Sequence, residues 1–84
     1  MTRRFTEPKE IKVRTSINGI PVSIVRNGRS ERVARVYKQW RASDDWWGKE
    51  TERHYFTIGT KNGLVCDVFH DTGDNRWFLS NIHD

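Results

Sequence analysis

The chain is short, with 84 residues, a single cysteine and a formal net charge of +4. This length gives room for one domain, whose core buries about 60% of the surface exposed by the unfolded chain, and excludes a separate catalytic domain. One cysteine excludes an internal disulfide bond, which is typical of proteins from a reducing cytoplasm. No segment approaches the roughly 20 apolar residues of a membrane span, and no secretory signal is evident, so we expect a cytoplasmic protein without membrane contact.

The positive charge is concentrated in the first half of the chain. Residues 1–41 contain eleven Lys and Arg against three Asp and Glu, a net +8, whereas residues 42–84 contain four against eight, a net −4. One interpretation is a basic face for nucleic acid or another acidic partner. The other is that the two halves lie side by side in one small domain and neutralise each other.

The first half contains two strand patterns and a strong hairpin signal. Glu10–Thr15 alternates apolar and charged side chains, which is typical of a half-buried strand. Val22–Arg26 is predicted to form the next strand. It is followed by Asn27 and Gly28, which both tolerate the positive φ of a type I′ turn. The chain is therefore expected to fold directly back on itself.

The segment after this hairpin fits both a helix and a strand. Its apolar residues recur at helical spacing: Val33, Val36, Tyr37 and Trp40. Cations recur at every third position from the end of the preceding strand onward: Arg26, Arg29, Arg32, Arg35, Lys38 and Arg41. We prefer a strand, because the preceding strand needs a hairpin partner. Since side chains alternate between the faces of a strand, the cations would then be scattered over both faces and would form no continuous basic stripe.

A second hairpin is predicted in the other half of the chain. Arg53–Thr60 and Leu64–Asp71 flank an Asn-Gly turn at residues 62–63. Taken as a two-residue loop, this turn sets His54 opposite Asp71 across the sheet. We expect the neighbouring carboxylate to raise the pKa of the histidine.

A turn at residues 72–75 and a last strand at Arg76–Ile82 complete the pattern. Short strands joined by short connections predict a mostly β fold, a five- to six-stranded antiparallel meander curled into a small barrel or roll. One short helix within residues 30–47 is the alternative for the ambiguous segment. We assign residues 1–9 to a flexible N-terminal tail and residues 10–84 to a single barrel or roll domain.

Several short motifs together resemble a known family. They are a hairpin with a glycine turn at Pro21–Arg29, a strand ending in Trp40-Arg41, the pair Trp46-Trp47, and an aspartate, turn and tryptophan ending from Asp67 through Trp77 to Asp84. This pattern covers most of residues 10–84 and resembles an uncharacterised small bacterial domain. That domain occurs free-standing and as a C-terminal extension of Y-family DNA-polymerase-like proteins.

The resemblance implies an accessory role in DNA repair or damage tolerance. It implies no polymerase activity, because nothing in the chain resembles the acidic metal-binding motifs of a polymerase palm. The chain departs from the family pattern at Ser30-Glu31-Arg32, where aromatic or aliphatic residues are more usual after the turn. This departure keeps the helix alternative open for residues 30–41.

Three of the four tryptophans lie within eight residues, at Trp40, Trp46 and Trp47. Trp40 is predicted to be a core anchor, because a domain short of apolar mass usually buries its large aromatic residues. Trp46 and Trp47 cannot both point inward in an extended chain, since adjacent side chains alternate. One of this pair is therefore the strongest candidate for an exposed contact with a base or a partner protein.

The chain lacks the residue patterns of a catalytic or metal site. Asp44 and Asp45 are typical of a turn or a helix N-cap, and the histidines and Cys66 lack the spacing of zinc ligands. The predicted hairpin register places His54 and Cys66 on opposite faces, which excludes a nucleophile dyad. No phosphate loop or nucleophile elbow is present. We expect no enzyme activity, cofactor or metal, and we interpret Cys66 as a small buried apolar residue.

These observations favour a non-catalytic binding module. Its expected binding residues are Arg29, Arg35, Arg41, Trp46 and Trp47. The family resemblance and the combination of Trp with Arg, which is typical of interface anchors, favour a protein-interaction accessory of a repair or translesion assembly. The alternative is direct nucleic-acid binding through a basic, Trp-containing surface.

The arrangement of the cations distinguishes these two hypotheses. Cations gathered on one face would support nucleic acid, whereas scattered cations beside an exposed apolar patch would support a protein partner. Both hypotheses are compatible with a monomer or with a weak homodimer formed through an edge strand such as Ile11–Thr15.

Overall fold

The computed structural model describes residues 2–46 and 49–83, with side chains over residues 8–43 and 52–83, and its elements are six β-strands. The strands are β1 Thr2–Thr15, β2 Pro21–Arg26, β3 Arg29–Trp46, β4 Lys49–Thr60, β5 Val65–Asp71 and β6 Arg76–His83. Each strand pairs antiparallel with the next, and β6 pairs back with β1. The sheet is therefore a closed barrel, and the predicted antiparallel barrel is confirmed.

The segment that fits both patterns in sequence is a strand, β3, and the described residues contain no helix. The helix alternative is therefore wrong over the described part of that segment. The hairpin decides this, because Asn27 and Gly28 have φ values of 52° and 77° and set Arg29 opposite Arg26. The backbone of β2 pairs with β3 as far as Arg32, and from Val33 onward β4 provides the hydrogen-bonding partner that keeps β3 a strand.

β3 is irregular at two points. Its pairing with β4 skips Ala34 and Tyr37, which gives a β-bulge at each residue. A bulge sets two residues of one strand opposite one residue of its neighbour, so the alternation of side chains shifts by one position. Val33 and Val36 consequently both pack against the core although they are three positions apart. The three-residue spacing that suggested a helix is produced here by a bulged strand.

The β4–β5 hairpin has a longer loop than predicted. The loop spans residues 61–64 and is closed by a 2.8 Å backbone hydrogen bond that the Thr60 N–H donates across it. The strands are consequently paired one residue away from the predicted register. His54 lies opposite His70 and not opposite Asp71, so the predicted register is wrong.

The core lies inside the barrel and takes its largest fully buried side chains from β2, β4, β5 and β6. These residues are Ile24, Phe56, Ile58, Cys66, Val68 and Leu79. Burying an aliphatic or aromatic side chain of this kind contributes about 1.5–3 kcal/mol. The interpretation of Cys66 as a buried apolar residue is confirmed, and burial raises the pKa of its thiol to about 12.

β1 begins at Thr2, so residues 2–9, which the sequence assigned to an N-terminal tail, form the first part of a strand that pairs with β6. Its later part, from Lys12 to Thr15, pairs with β2. β1 is therefore not an edge strand of an open sheet, the feature on which the homodimer interpretation was based. Among the described residues, no helix has the length and apolarity that a membrane crossing requires.

Candidate functional site

A row of positive charge follows the outer face of β3. Phe56 and Ile58 of β4 face the barrel interior, so the residues between and beside them face outward. The β3 residues paired with those outward positions are Arg35, Lys38 and Trp40. Arg32, which is exposed and lies opposite Ser23 of β2, extends the row toward the start of the strand. We call Arg32, Arg35, Lys38 and Trp40 the β3 stripe.

The two β-bulges create this stripe. In a regular strand, residues three positions apart face opposite ways, which is why a strand was predicted to scatter the cations. The bulges at Ala34 and Tyr37 each add one residue between successive cations, so Arg32, Arg35 and Lys38 return to the same face. The prediction that a strand would scatter the cations over both faces is therefore wrong for this part of β3.

The three cations of the β3 stripe pair with no carboxylate among the described residues. Other arginines of the barrel do have such partners. Arg41 Nη1 lies 3.9 Å from Glu52 Oε1, and Arg76 Nε lies 3.3 Å from Glu10 Oε2. The stripe thus presents uncompensated charge to solvent, which attracts anionic partners such as phosphate groups.

Trp40 is the last residue of the β3 stripe and is partly exposed. Its ring is stacked on Tyr55, with centroids 5.2 Å apart and planes inclined by 5°, and 38% of the residue remains exposed. Lys38 Nζ lies 5.2 Å from the centroid of the indole ring. The prediction that Trp40 is a core anchor is wrong, because it pairs with the outward-facing Tyr55 while the adjacent Phe56 occupies the interior.

The Trp40–Tyr55 pair is the outer end of an aromatic row that crosses four strands. Tyr55 contacts Phe69 at 5.0 Å, and Phe69 is stacked on Phe78 at 5.1 Å between ring centroids. Phe69 is only 2% exposed, and the Arg53 guanidinium lies 4.8 Å from its ring centroid. The row forms a second apolar layer outside the barrel and fixes the orientation of the indole at its end.

Tyr37, the residue at the second bulge, packs over Gly59. A Cβ atom at Gly59 would lie 3.0 Å from Cε2 of Tyr37, so the glycine permits this close approach. The tyrosine nevertheless remains 55% exposed. Because Gly59 is the partner of Arg35 across the sheet, Tyr37 adds a second exposed aromatic ring beside the stripe.

A cleft opens beside Arg32, where the pairing of β2 with β3 ends. Its volume is about 360 Å³, and it is lined by Arg14, Val22, Ser23, Arg32, Val33 and Lys61. We call it the arginine cleft. Arg14, Ser23 and Arg32 lie opposite one another on three neighbouring strands, and the Lys61 N–H donates a 2.9 Å hydrogen bond to the Arg32 carbonyl. Three cationic side chains therefore line one cleft.

The outer face of β4–β6 contains a carboxylate with a full set of partners. Asp67 is 7% exposed, accepts hydrogen bonds from Thr57 Oγ1 at 2.6 Å and Asn81 Nδ2 at 2.9 Å, and lies 3.0 Å from His83 Nε2. Burial raises the pKa of Asp67, but the hydrogen bonds and the charge of His83 together bring this pKa below its ordinary value. Its partners lie on β4 and β6, so Asp67, which belongs to β5, connects the three strands.

His54 has surroundings opposite to those predicted. It lies opposite His70, and burial together with the positive charges of Arg41 and His70 lowers its pKa. Glu52 raises this pKa, but to a smaller extent. The expected increase in the pKa of His54 is therefore wrong.

The corrected hairpin register also changes the relation between His54 and Cys66. Cys66 pairs with Ile58, which lies on the same face of β4 as His54, so the predicted separation onto opposite faces is wrong. Even so, among the side chains that the structure describes, at residues 8–43 and 52–83, no group of three His, Cys, Asp or Glu residues is arranged to hold a metal ion.

A family model described as Domain of unknown function (DUF6504) matches residues 1–84 of the chain. The chain belongs to this family. No curated protein and no solved structure matches it. The resemblance to an uncharacterised small domain is thereby confirmed, over the whole chain.

The three arginines predicted for binding in this DUF6504 domain do not form one surface. Arg35 belongs to the β3 stripe, whereas Arg29 lies at the β2–β3 turn and Arg41 lies near the other end of β3. Both arginines occupy inward-facing positions of β3. Their partners across the sheet, Arg26 and His54, are on the inward faces of β2 and β4. The structure therefore separates Arg35 from the two other arginines.

The tryptophan pair of this DUF6504 domain remains a prediction. Trp46 is the last residue of β3, and its side chain lies outside the described residues, as does the whole of Trp47. Sequence reasoning missed the binding potential of Arg32 and Lys38. The signal was present, because cations at every third position of a strand share a face when a bulge separates each pair.

Proposed function

We propose that this DUF6504 domain is a non-catalytic module that binds nucleic acid along the β3 stripe. The observation that supports this proposal is the alignment, on one outward face, of a partly exposed tryptophan with three cations that form no ion pair among the described residues. Cations of this kind contact phosphates and release counterions, which supplies affinity without sequence preference. Aromatic rings beside them stack on bases, at about 1–3 kcal/mol per base.

The preferred ligand is single-stranded. Trp40 and Tyr37 are the exposed aromatic residues beside the cations, and a base must leave a duplex stack before it can lie on either ring. Outward positions of a strand are about 7 Å apart, so the four positions of the stripe extend over roughly 20 Å. A flexible single strand can follow this path with its phosphates on the arginines and its bases on the rings.

The proposed biological setting is DNA repair or damage tolerance in a bacterial cytoplasm. The support is the resemblance of this chain to the C-terminal extension of Y-family DNA-polymerase-like proteins. Such proteins act where DNA is transiently single-stranded, and an accessory module that holds this strand would serve them without chemistry of its own.

Fluorescence anisotropy with labelled single- and double-stranded oligonucleotides, at about 50 and about 200 mM salt, tests the proposal. We expect the single strand to bind more tightly, and its affinity to fall steeply between the two salt concentrations. Arg35→Glu should weaken binding by about tenfold or more, because it reverses a charge in the middle of the stripe. Trp40→Ala should weaken single-strand binding more than duplex binding.

Arg29→Glu is the matched control, because it makes the same charge change in the same strand away from the stripe. It should weaken binding less than Arg35→Glu does. Equal losses in the two variants would show that only net charge matters and would contradict the role of the stripe. Absence of binding at the lower salt concentration would retire nucleic acid as the ligand.

The second candidate function is a protein-interaction accessory of a repair or translesion assembly. The observation that favours it is the exposure of Tyr37 and Trp40 beside Arg35, since aromatic residues and arginine are the usual anchors of protein interfaces. Under this hypothesis Trp40→Ala and Arg35→Glu would abolish binding to a Y-family-like partner, while no oligonucleotide would bind. A pull-down with the purified partner distinguishes the two functions.

A further inference from the structure

The arginine cleft contains a denser group of cations than the rest of the β3 stripe. We propose that it binds the terminal phosphate of a nucleic-acid strand whose following nucleotides lie along the stripe. The inference rests on the proposed function, because Arg32 belongs to both features. It adds a preference for phosphorylated strand ends, which the stripe alone would not produce.

The row of residues across three strands supplies the donors. Arg14 of β1 and Arg32 of β3 flank Ser23 of β2, and residues opposite each other in a sheet have Cβ atoms about 4.5–5.5 Å apart. Two guanidinium groups on either side of a hydroxyl can donate hydrogen bonds to several oxygens of one phosphate. Lys61 adds a third positive charge at the edge of the same cleft.

These donors are available to a ligand. None of the three cations of the arginine cleft forms an ion pair with a carboxylate among the described residues, and the Ser23 hydroxyl forms no hydrogen bond there. The nearest contrast is Glu31, which lies adjacent to Arg32 in sequence but is buried and paired with Arg26 at 3.6 Å. The carboxylate that could have neutralised the cleft is thus used inside the barrel.

The remaining walls of the cleft favour a nucleotide over a bare phosphate. Val22 and Val33 line it beside the cations, and Val22 is exposed. An inorganic anion would leave these apolar surfaces in water, whereas the sugar of a terminal nucleotide would cover them. The cleft therefore combines charge for a phosphate with an apolar surface for the group attached to it.

The charge of the ligand determines the preference. A terminal phosphate monoester carries about −1.5 to −2 charges near neutral pH, while each internal phosphate of a strand carries one. Three cations converging on one cleft gain more from the doubly charged group than isolated cations along a strand do. We expect a phosphorylated end to bind about tenfold more tightly than a hydroxyl end of the same sequence.

The test compares internally labelled single strands of one sequence that end in a 5′-phosphate, a 3′-phosphate or hydroxyl groups. The measured quantity is the ratio of the Kd of the hydroxyl strand to that of each phosphorylated strand. The wild-type ratio should be about ten for one of the two ends. Arg14→Ala and Lys61→Ala should bring it close to one, because both residues line the cleft outside the stripe.

Arg35→Glu is the complementary variant, since Arg35 belongs to the stripe and does not line the cleft. It should weaken all strands while the ratio is kept. Arg14→Lys, which conserves the charge, should retain part of the ratio. If wild-type protein binds every strand with the same Kd, the end preference is refuted and the stripe proposal stands.

A different result would show that the proposed function, binding of a nucleic-acid strand, is wrong. If no strand binds at about 50 mM salt, isothermal titration with adenosine 5′-monophosphate and with inorganic phosphate examines the cleft alone. Binding of the nucleotide by wild type and its loss in Arg14→Ala would support the cleft as a site for phosphorylated nucleosides. Equal binding by both proteins, or no binding, would overturn the inference.

Discussion

The charged groups on the two outer faces of this barrel differ in whether they have partners. On β4–β6, Asp67 is surrounded by hydrogen-bond donors from neighbouring strands, and the Arg53 guanidinium lies over the ring of Phe69. On β3, Arg35 and Lys38 extend outward without a carboxylate partner among the described residues. Both faces cover the same small core, so core packing does not explain the difference.

The difference indicates that the β4–β6 face contributes mainly to stability and that the β3 face is available for binding. Groups with complete sets of partners contribute to the free energy of unfolding, because their removal leaves buried donors or cavities. Cations without partners contribute little to stability and remain available to an anion. Substitutions on the two faces should therefore separate cleanly into effects on unfolding and effects on binding.

The largest effect on stability is expected for Phe69→Ala on the β4–β6 face. Phe69 is almost fully buried between Tyr55 and Phe78, so its removal should cost about 3–5 kcal/mol of the free energy of unfolding. Urea denaturation measures this cost. Tyr37→Ala, an aromatic truncation at the more exposed β3 face, is the control and should cost clearly less. Equal costs would mean that the two faces are packed alike.

Asp67→Asn should cost about 1–3 kcal/mol, because an amide cannot accept all the hydrogen bonds that converge on the carboxylate. The same residue predicts a pH dependence. Since the pKa of Asp67 in the folded state is below the ordinary value of 3.8, its contribution to stability is present above that value and is lost as the pH falls through the folded pKa. The variant should lose this part of the acid sensitivity. An unchanged acid transition would contradict the assignment.

Gly59→Ala examines the contact between β4 and the second bulge of β3. The new methyl group would press on the ring of Tyr37, and we expect a cost of about 1 kcal/mol from this overpacking. In a Tyr37→Ala background the same substitution should become neutral or stabilising, because alanine restricts the unfolded chain more than glycine does. A double-mutant cycle with thermal unfolding gives this coupling, and additive effects would mean that the ring does not cover Gly59.

The smallest effect on stability is expected for the stripe itself. Arg35→Ala and Lys38→Ala should change the free energy of unfolding by less than about 0.5 kcal/mol, because their side chains are exposed and form no ion pair with a carboxylate among the described residues. Their effect should be seen in oligonucleotide anisotropy. A large loss of stability in either variant would show that these cations belong to the structural side of the comparison.

Much of the fold follows from local signals in the sequence. The alternation in Glu10–Thr15 and the turn at Asn27 and Gly28 specify strands and a hairpin without reference to the rest of the chain. Such signals are local, because φ preferences and the two-residue period of a strand depend on adjacent residues. The antiparallel barrel and the burial of Cys66 could therefore be predicted.

The candidate site was decided by pairing between distant residues. The bulges at Ala34 and Tyr37 depend on how β3 meets β4, and only they return Arg32, Arg35 and Lys38 to one face. The loop of the β4–β5 hairpin likewise set a register that changed the neighbours of His54 and reversed the direction of its pKa shift. Register is a property of two strands, so the amino-acid pattern of one strand does not contain it.

Trp40 shows the same difference between what the sequence determines and what strand pairing determines. The sequence determined that a large aromatic residue follows a basic segment, and its size favoured burial. The tertiary structure turned it outward, because the interior position beside it was filled by Phe56 of the neighbouring strand and Tyr55 offered a stacking partner outside. Composition thus determined that cations and aromatic rings would occur together, and strand pairing determined that they share one accessible face.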